Sequence, residues 1–277
     1  MTGTLVAARR VVRRPGVVVG AGGLVLLAVA AFAGPLVLSY SHDQQNLGAI
    51  LASPSPAHPL GTARLGEDML ALCLRGLQKS LLIGLLAAGL TTVVSAVVGT
   101  LAGYLGGLTD RVLMIVVDIL LVLPPILVVA VLSPTLREQS WLVLVLLIAG
   151  FQWMVTARVV RARARSLRSA GYVVAAEDMG ASTARIVTRH LLPQMVPLLV
   201  IDCTLNVASA VLAEAGLSYF GFGVQPPDVS LGTLVATGTG SALTFPWVFL
   251  APVGFLAATV LASATLGEGL RDDEVHR

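Results

Sequence analysis

Three carboxylates interrupt stretches otherwise free of charge: Asp118 in VLMIVVDILLVLPP, Asp202 in PLLVIDCTLNV and Glu214 in SAVLAEAGLSY. A carboxylate within an apolar helix is costly, so its presence raises a functional question by default. Asp202, near the middle of its run and one residue before Cys203, is the best placed to line a polar passage; an interhelical hydrogen bond is the competing reading. Glu214 stands near the end of its run, where interfacial water could hydrate it. Other chemistry finds little support. The histidines His42, His58, His190 and His276 are scattered, and two in one loop make no metal site without a third ligand. Cys73 and Cys203 show neither C-x-x-C nor Cys/His spacing and read as small apolar side chains. A membrane-embedded enzyme would want paired carboxylates or a His/Asp cluster at one depth, and none is visible. Nor is there a nucleotide loop G-x-x-x-x-G-K-[ST], since the single lysine, Lys79, follows Gln78.

A second stretch, residues 172–193, reads YVVAAEDMGASTARIVTRHLLP. Its chemistry is that of contact. With Ala175 at 0° on a helical wheel, Met179 falls at about 40°, Thr183 at about 80°, Ala176 at about 100° and Gly180 at about 140°. Small and flexible side chains gather on one face while Glu177 and Asp178 turn away. Small residues admit a second backbone, and Met adapts to an irregular groove. The surface reads as a dock for a cytoplasmic protein or as an ordinary amphipathic connector. Upstream, Arg158, Arg161, Arg165 and Arg168 share about an 80° arc of one helical face, with Arg163 elsewhere. Such a stripe faces lipid phosphates or an acidic partner. Pro193 reads as a hinge at the foot of the next helix or as a simple helix start.

The elements that position these residues are membrane spans. The 277 residues are 56% hydrophobic and 12% charged, with mean hydropathy +0.88, against about 25% charged in a soluble globule. A span needs about 20 apolar residues. Runs between charges place six, near 17–38, 80–104, 112–133, 141–157, 195–215 and 245–267. With the N-terminus in the cytoplasm, fourteen of the eighteen basic residues fall inside and four (Arg64, Arg75, Lys79, Arg137) outside, which sets that orientation and puts both termini inside. Ala31-Phe32-Ala33 mimics a signal-peptide cleavage site, but the apolar run continues to Leu38, so an uncleaved first span is expected. The chain thus divides into a cytoplasmic segment 1–16, a first span 17–38, an extracytoplasmic loop 39–79, a five-span core 80–267 and a cytoplasmic tail 268–277. Within the core, loop 158–194 is cytoplasmic and loop 216–244 extracytoplasmic. The six glycines and prolines of 216–232 speak against a regular helix there.

Five ordered blocks resemble a known family. AAxxxG at 175–180, followed by LP at 192–193, is similar to the "EAA" loop of binding-protein-dependent ABC transporter permeases; Val174 stands where that loop has its first Glu, and an acid, Glu177, comes three positions later. HPLGTARLGED (58–68), VDILLVLP (117–124) and LAEAGLSYFGFGVQPP (212–227), with LGEGLRD (266–272), resemble the C-type permeases of dipeptide, oligopeptide and nickel importers. The resemblance implies an all-α polytopic membrane protein of the type I ABC importer permease fold, in the bacterial inner membrane. It implies a coupling helix contacting the ATPase through Tyr172, Ala175, Ala176, Glu177, Asp178, Met179, Gly180, Ala181 and Ser182, with Pro193 behind it. Its implied partners are a second homologous permease (DppB/OppB-like), ABC ATPase subunits that hold ATP and Mg, an extracytoplasmic solute-binding protein and the lipid bilayer, with no nucleic acid. No cofactor, metal or catalytic residue is expected on this chain. Asp118, Asp202 and Glu214 are the candidates for the translocation pathway. The implied cargo is a dipeptide or oligopeptide, with nickel or another small solute as the alternative; an ion-driven carrier acting alone would not need a docking helix.

Overall fold

The computed structural model describes residues 15–38, 40–136 and 140–275. Most of the expected N-terminal segment, with Arg9, Arg10, Arg13 and Arg14, lies outside them, as do Arg137, His276 and Arg277. The described elements are helices joined by turns: α1 (Pro15–Val37), α2 (Met69–Leu105), α3 (Gly107–Val122), α4 (Pro125–Leu136), α5 (Trp141–Arg168), α6 (Gly171–Asp178), α7 (Thr183–Ile186), α8 (Leu192–Tyr219), α9 (Leu231–Gly238) and α10 (Pro246–Val275). Five helical stretches are long and apolar enough to cross a membrane, and a bent pair, α3 with α4, makes a sixth.

Several boundaries differ from the sequence reading, each for a local reason. The second span begins at Met69, so the last eleven residues of the expected loop 39–79 are helical. The Asp68 carboxylate caps that helix by accepting the Ala71 N–H at 2.9 Å. Stopping at the first charge, Lys79, misplaced the boundary; its ammonium is neutralised by Asp228 at 2.9 Å and lies 4.7 Å from the Trp141 ring centre. The third span is broken, its halves bent by 75°, at Pro124-Pro125, where neither residue has an N–H and both rings obstruct the preceding turn. The fifth span starts near Thr183. α7 runs into α8 through a π-helical turn, Val187–Leu191, closed by the Leu192 N–H on the Val187 carbonyl. Pro193 stands just after that turn, at the start of α8. Loop 216–244 holds a regular helix after all. Ser230 and Thr233 form a reciprocal capping box that starts α9 despite Gly232.

Lipid tails are as apolar as leucine, so close packing, more than burial, holds such helices together. α2 is the hub. Its longest interface is with α5, then α8. Gly99 and Gly103 make that approach possible: a Cβ at either position would stand 2.6 Å from the Ala157 carbonyl oxygen or 2.5 Å from that of Arg161. Ile83 and Ala87 of α2, Leu144, Val145 and Ile148 of α5, and Ala210 of α8 form a buried cluster with Val224. α1 lies against α10, Gly20 facing the Leu266 backbone. Outward-facing Val25, Leu26, Val97 and Val122 are more than half exposed, as helices set in hydrocarbon require.

Candidate functional site

At the end of the bundle where α2 terminates, α6 packs through Val173 and Ala176, both buried with Tyr104, Ile186 and Leu191. Tyr172, Val174, Ala175, Asp178 and Met179 point away from the chain, Met179 with 81% of its surface exposed. The expected contact face is therefore corrected in part. Ala176 belongs to the inner face, because the helix needs a small side chain against Tyr104 as much as a partner would. Gly180 lies beyond the helix. The Ala181 N–H bonds the Ala176 carbonyl at 3.0 Å and the Gly180 N–H bonds that of Glu177 at 2.9 Å, the two bonds of a Schellman cap, with φ +79° at Gly180. Nothing lies within 4 Å of a Cβ placed at Gly180, so backbone conformation, and no lack of space, calls for glycine there. Glu177 does not simply turn away: its Oε1 accepts the Tyr104 hydroxyl at 2.8 Å and ties α6 to the last turn of α2. Ser182 is exposed at the start of α7, and Pro193 lies past the π turn.

The arginine stripe has acidic partners within the chain. Arg158 pairs with Asp118 and Arg161 with Asp110, both acids on α3. Asp110 and Asp118 are eight residues apart and so share a helical face; that spacing was the available signal. Asp118 is thus an exposed ion-pair member on α3.

Two of the cavities formed by the described residues bear on a passage for cargo. One of 570 Å3 adjoins the α3–α4 break and is lined by Pro125, Ile126 and Val129 of α4, Phe151 and Gln152 of α5, and Asn206, Ser209 and Phe220 among others. Among the described residues, no acidic or basic side chain lines it. Asp202 is not in its wall, although Asn206, one turn further along nearly the same face, is. Asn206 donates to the Thr156 hydroxyl at 3.1 Å. The second cavity, 440 Å3, sits at the opposite, loop-rich end between residues 63–72, 221–229 and α9, with Arg64, Glu67, Gln225, Asp228, Thr233 and Thr237 in its walls. The 58–68 segment is itself well fastened. His58 Nδ1 is 2.9 Å from Asp68, Arg64 donates to Ser241 at 2.7 Å, and the Trp247 indole donates to the Thr62 carbonyl at 3.3 Å.

Glu214 is fully buried and does not reach interfacial water, correcting that reading. Hydroxyls of Ser80, Ser218 and Ser230 donate to it at 3.1, 2.7 and 2.6 Å, so it joins α2, α8 and the start of α9.

Residues 95–270 match the family model of binding-protein-dependent transport system inner membrane components, and residues 5–54 that of the N-terminal TM domain of oligopeptide transport permease C. The chain belongs to the family of binding-protein-dependent transport permeases. It is 48% identical over 265 residues to the oligopeptide transport system permease protein OppC of Mycobacterium tuberculosis, covering 95% of this chain and 91% of the relative. The OppC of Bacillus subtilis is 33% identical over 250 residues, covering 90% and 81%. Among solved structures, an inward-facing MetNI methionine ABC transporter chain superposes with a TM-score of 0.60 at 21% identity, covering 76% of this permease and 98% of that chain, a likeness of fold. The permease is thus a multi-pass bacterial membrane protein of the ABC importer class, a component that works with an ATPase.

Proposed function

We propose that this permease imports peptides together with a second homologous permease, using ATP and Mg held on separate ATPase subunits, and that α6 is the coupling helix. The observation that carries the reading is the geometry of α6: an exposed face of Tyr172, Val174, Ala175 and Met179 on a helix fastened to α2 by Glu177–Tyr104 and closed by the Gly180 cap. A movement of that face reaches α2, whose 37 residues extend about 55 Å at 1.5 Å per residue. The basic bias of the sequence supports a cytoplasmic α6. The loop-rich end then faces outward, where a solute-binding protein would deliver cargo to the cavity between residues 63–72 and α9.

Peptides as cargo rest on the likeness to oligopeptide permeases of the OppC type and on the chemistry of the 570 Å3 cavity. Its walls are apolar with neutral amides, suited to chains whose side chains vary in charge. A dedicated metal-ion path would want oxygen or imidazole ligands at one level. Two measurements test the proposal. A cysteine replacing Met179 should crosslink to the ATPase, whereas one replacing Ala176 should not. Reconstituted complex should take up labelled di- to pentapeptides only with ATP and the binding protein. Labelling of position 179 from outside sealed cells would refute the orientation, and uptake without any ATPase would refute the coupling.

A further inference from the structure

Two of the three hydroxyls around Glu214 are committed to donating to it. Ser80 Oγ accepts the Leu231 N–H at 3.1 Å, which leaves its own proton for Glu214 Oε2. Ser230 Oγ accepts the Thr233 N–H at 3.1 Å and places its proton on Glu214 Oε1, its closest acceptor at 2.6 Å. Ser218 donates to the same oxygen from one turn further along α8. The Gly232 N–H, in the first turn of α9, also faces the carboxylate. A Cβ on Gly232 would stand 2.9 Å from Oε1, so the close approach of α9 to the acid is built into the backbone. The group that satisfies this set is an acceptor at both oxygens, placed at the N-terminal end of a helix, where the backbone dipoles favour negative charge.

What the carboxylate holds is the mouth of the permease. Ser218 on α8 and Thr233, Leu234 and Thr237 on α9 are walls of the 440 Å3 cavity. The same helix covers α2: Leu231 is buried against Leu77, Leu81 and Ala31, and Leu234 closes over Met69, Leu72 and Cys73, leaving Cys73 with no exposed surface.

We propose that Glu214 is a positioning residue for transport: from inside the bundle its carboxylate latches α9 onto α2 and α8, fixing the walls of the outer cavity, without itself contacting cargo. The inference rests on the outward orientation given above. Glutamine is not a silent replacement, because its amide N–H2 would confront a hydroxyl that already donates. Aspartate keeps the acceptors on a shorter arm.

Cys73 reports on the latch directly. In complexes carrying Cys203→Ala, Cys73 should resist a membrane-impermeant maleimide. Glu214→Gln should accelerate its labelling about tenfold or more, the scale of losing hydrogen bonds to a charged acceptor. Glu214→Asp should fall between, and Ser218→Ala, whose hydroxyl bonds Glu214 and caps no helix, should move in the same direction while raising the concentration of loaded binding protein needed for half-maximal uptake. Should Glu214→Gln prevent assembly, Ser218→Ala, which removes one donor, decides alone. Labelling of Cys73 that is unchanged in these variants would overturn the latch, as would faster labelling with uptake kinetics unaltered, or an aspartate variant no tighter than the glutamine one. Failure of the unaltered complex to transport peptides would instead strike the proposed function, while the shielding of Cys73 would still test the latch.

Discussion

Gly180 offers the sharpest test of how α6 is built. Its φ of +79° lies in the left-handed region, and the two cap bonds at the end of α6 depend on that turn. An L-residue with a Cβ pays about 1–2 kcal/mol to enter it, which corresponds to roughly a 5- to 30-fold fall in the population of the capped conformation. No steric contribution adds to this within the chain, since the space around a Cβ at 180 is empty to 4 Å. Gly180→Ala should therefore lower peptide uptake by up to that factor in proteoliposomes holding the assembled complex. Asparagine enters the left-handed region more readily than other residues, so Gly180→Asn should retain more uptake than Gly180→Ala although its side chain is larger. Gly180→Val, β-branched, should be the worst. Uptake and ATP hydrolysis measured on the same vesicles give the coupling ratio for each. An order of Ala above Asn would show that the glycine serves the fit into the ATPase, and the conformational argument would fall; a silent Gly180→Ala would remove any need for the cap.

Tyr104→Phe removes the hydroxyl on Glu177 and should destabilise the attachment of α6 by about 1 kcal/mol, read as faster hydrogen exchange in 171–181 with the transmembrane helices unaffected. Gly103→Val sets a branched side chain against the Arg161 carbonyl and Ala164; the α2–α5 interface cannot close around it, and the yield of assembled permease in detergent should drop sharply. Asp68→Ala strips the cap of α2 and leaves His58 without its partner. A loss of about 0.5–2 kcal/mol for the cap alone should appear as a lower melting temperature and as protease sensitivity within 58–68.

Composition and charge spacing were enough for an all-helical membrane protein, for the number of its spans, and for a short helix after Gly171, because hydrocarbon demands long apolar runs; that the helix stops before Gly180, which the wheel had carried on its contact face, was decided by the cap at its end. Those are properties of contiguous sequence. The rest depended on which helices meet. Lys79 looked like the edge of a span until Asp228, far along the chain, neutralised it within one. Arginines 158 and 161 looked like groups for lipid or a partner until α3 supplied Asp118 and Asp110. Ala176 could not be told from Ala175 on a wheel, since only the packing of Tyr104, Ile186 and Leu191 defines an inner side. Glu214 is the extreme case: a lone acid near the end of an apolar run becomes the meeting point of three helices because serines 80, 218 and 230 converge on it. Local spacing limits what a segment can be; the partners of a charge are chosen by the fold, since a carboxylate in hydrocarbon is stable only where distant donors are brought to it.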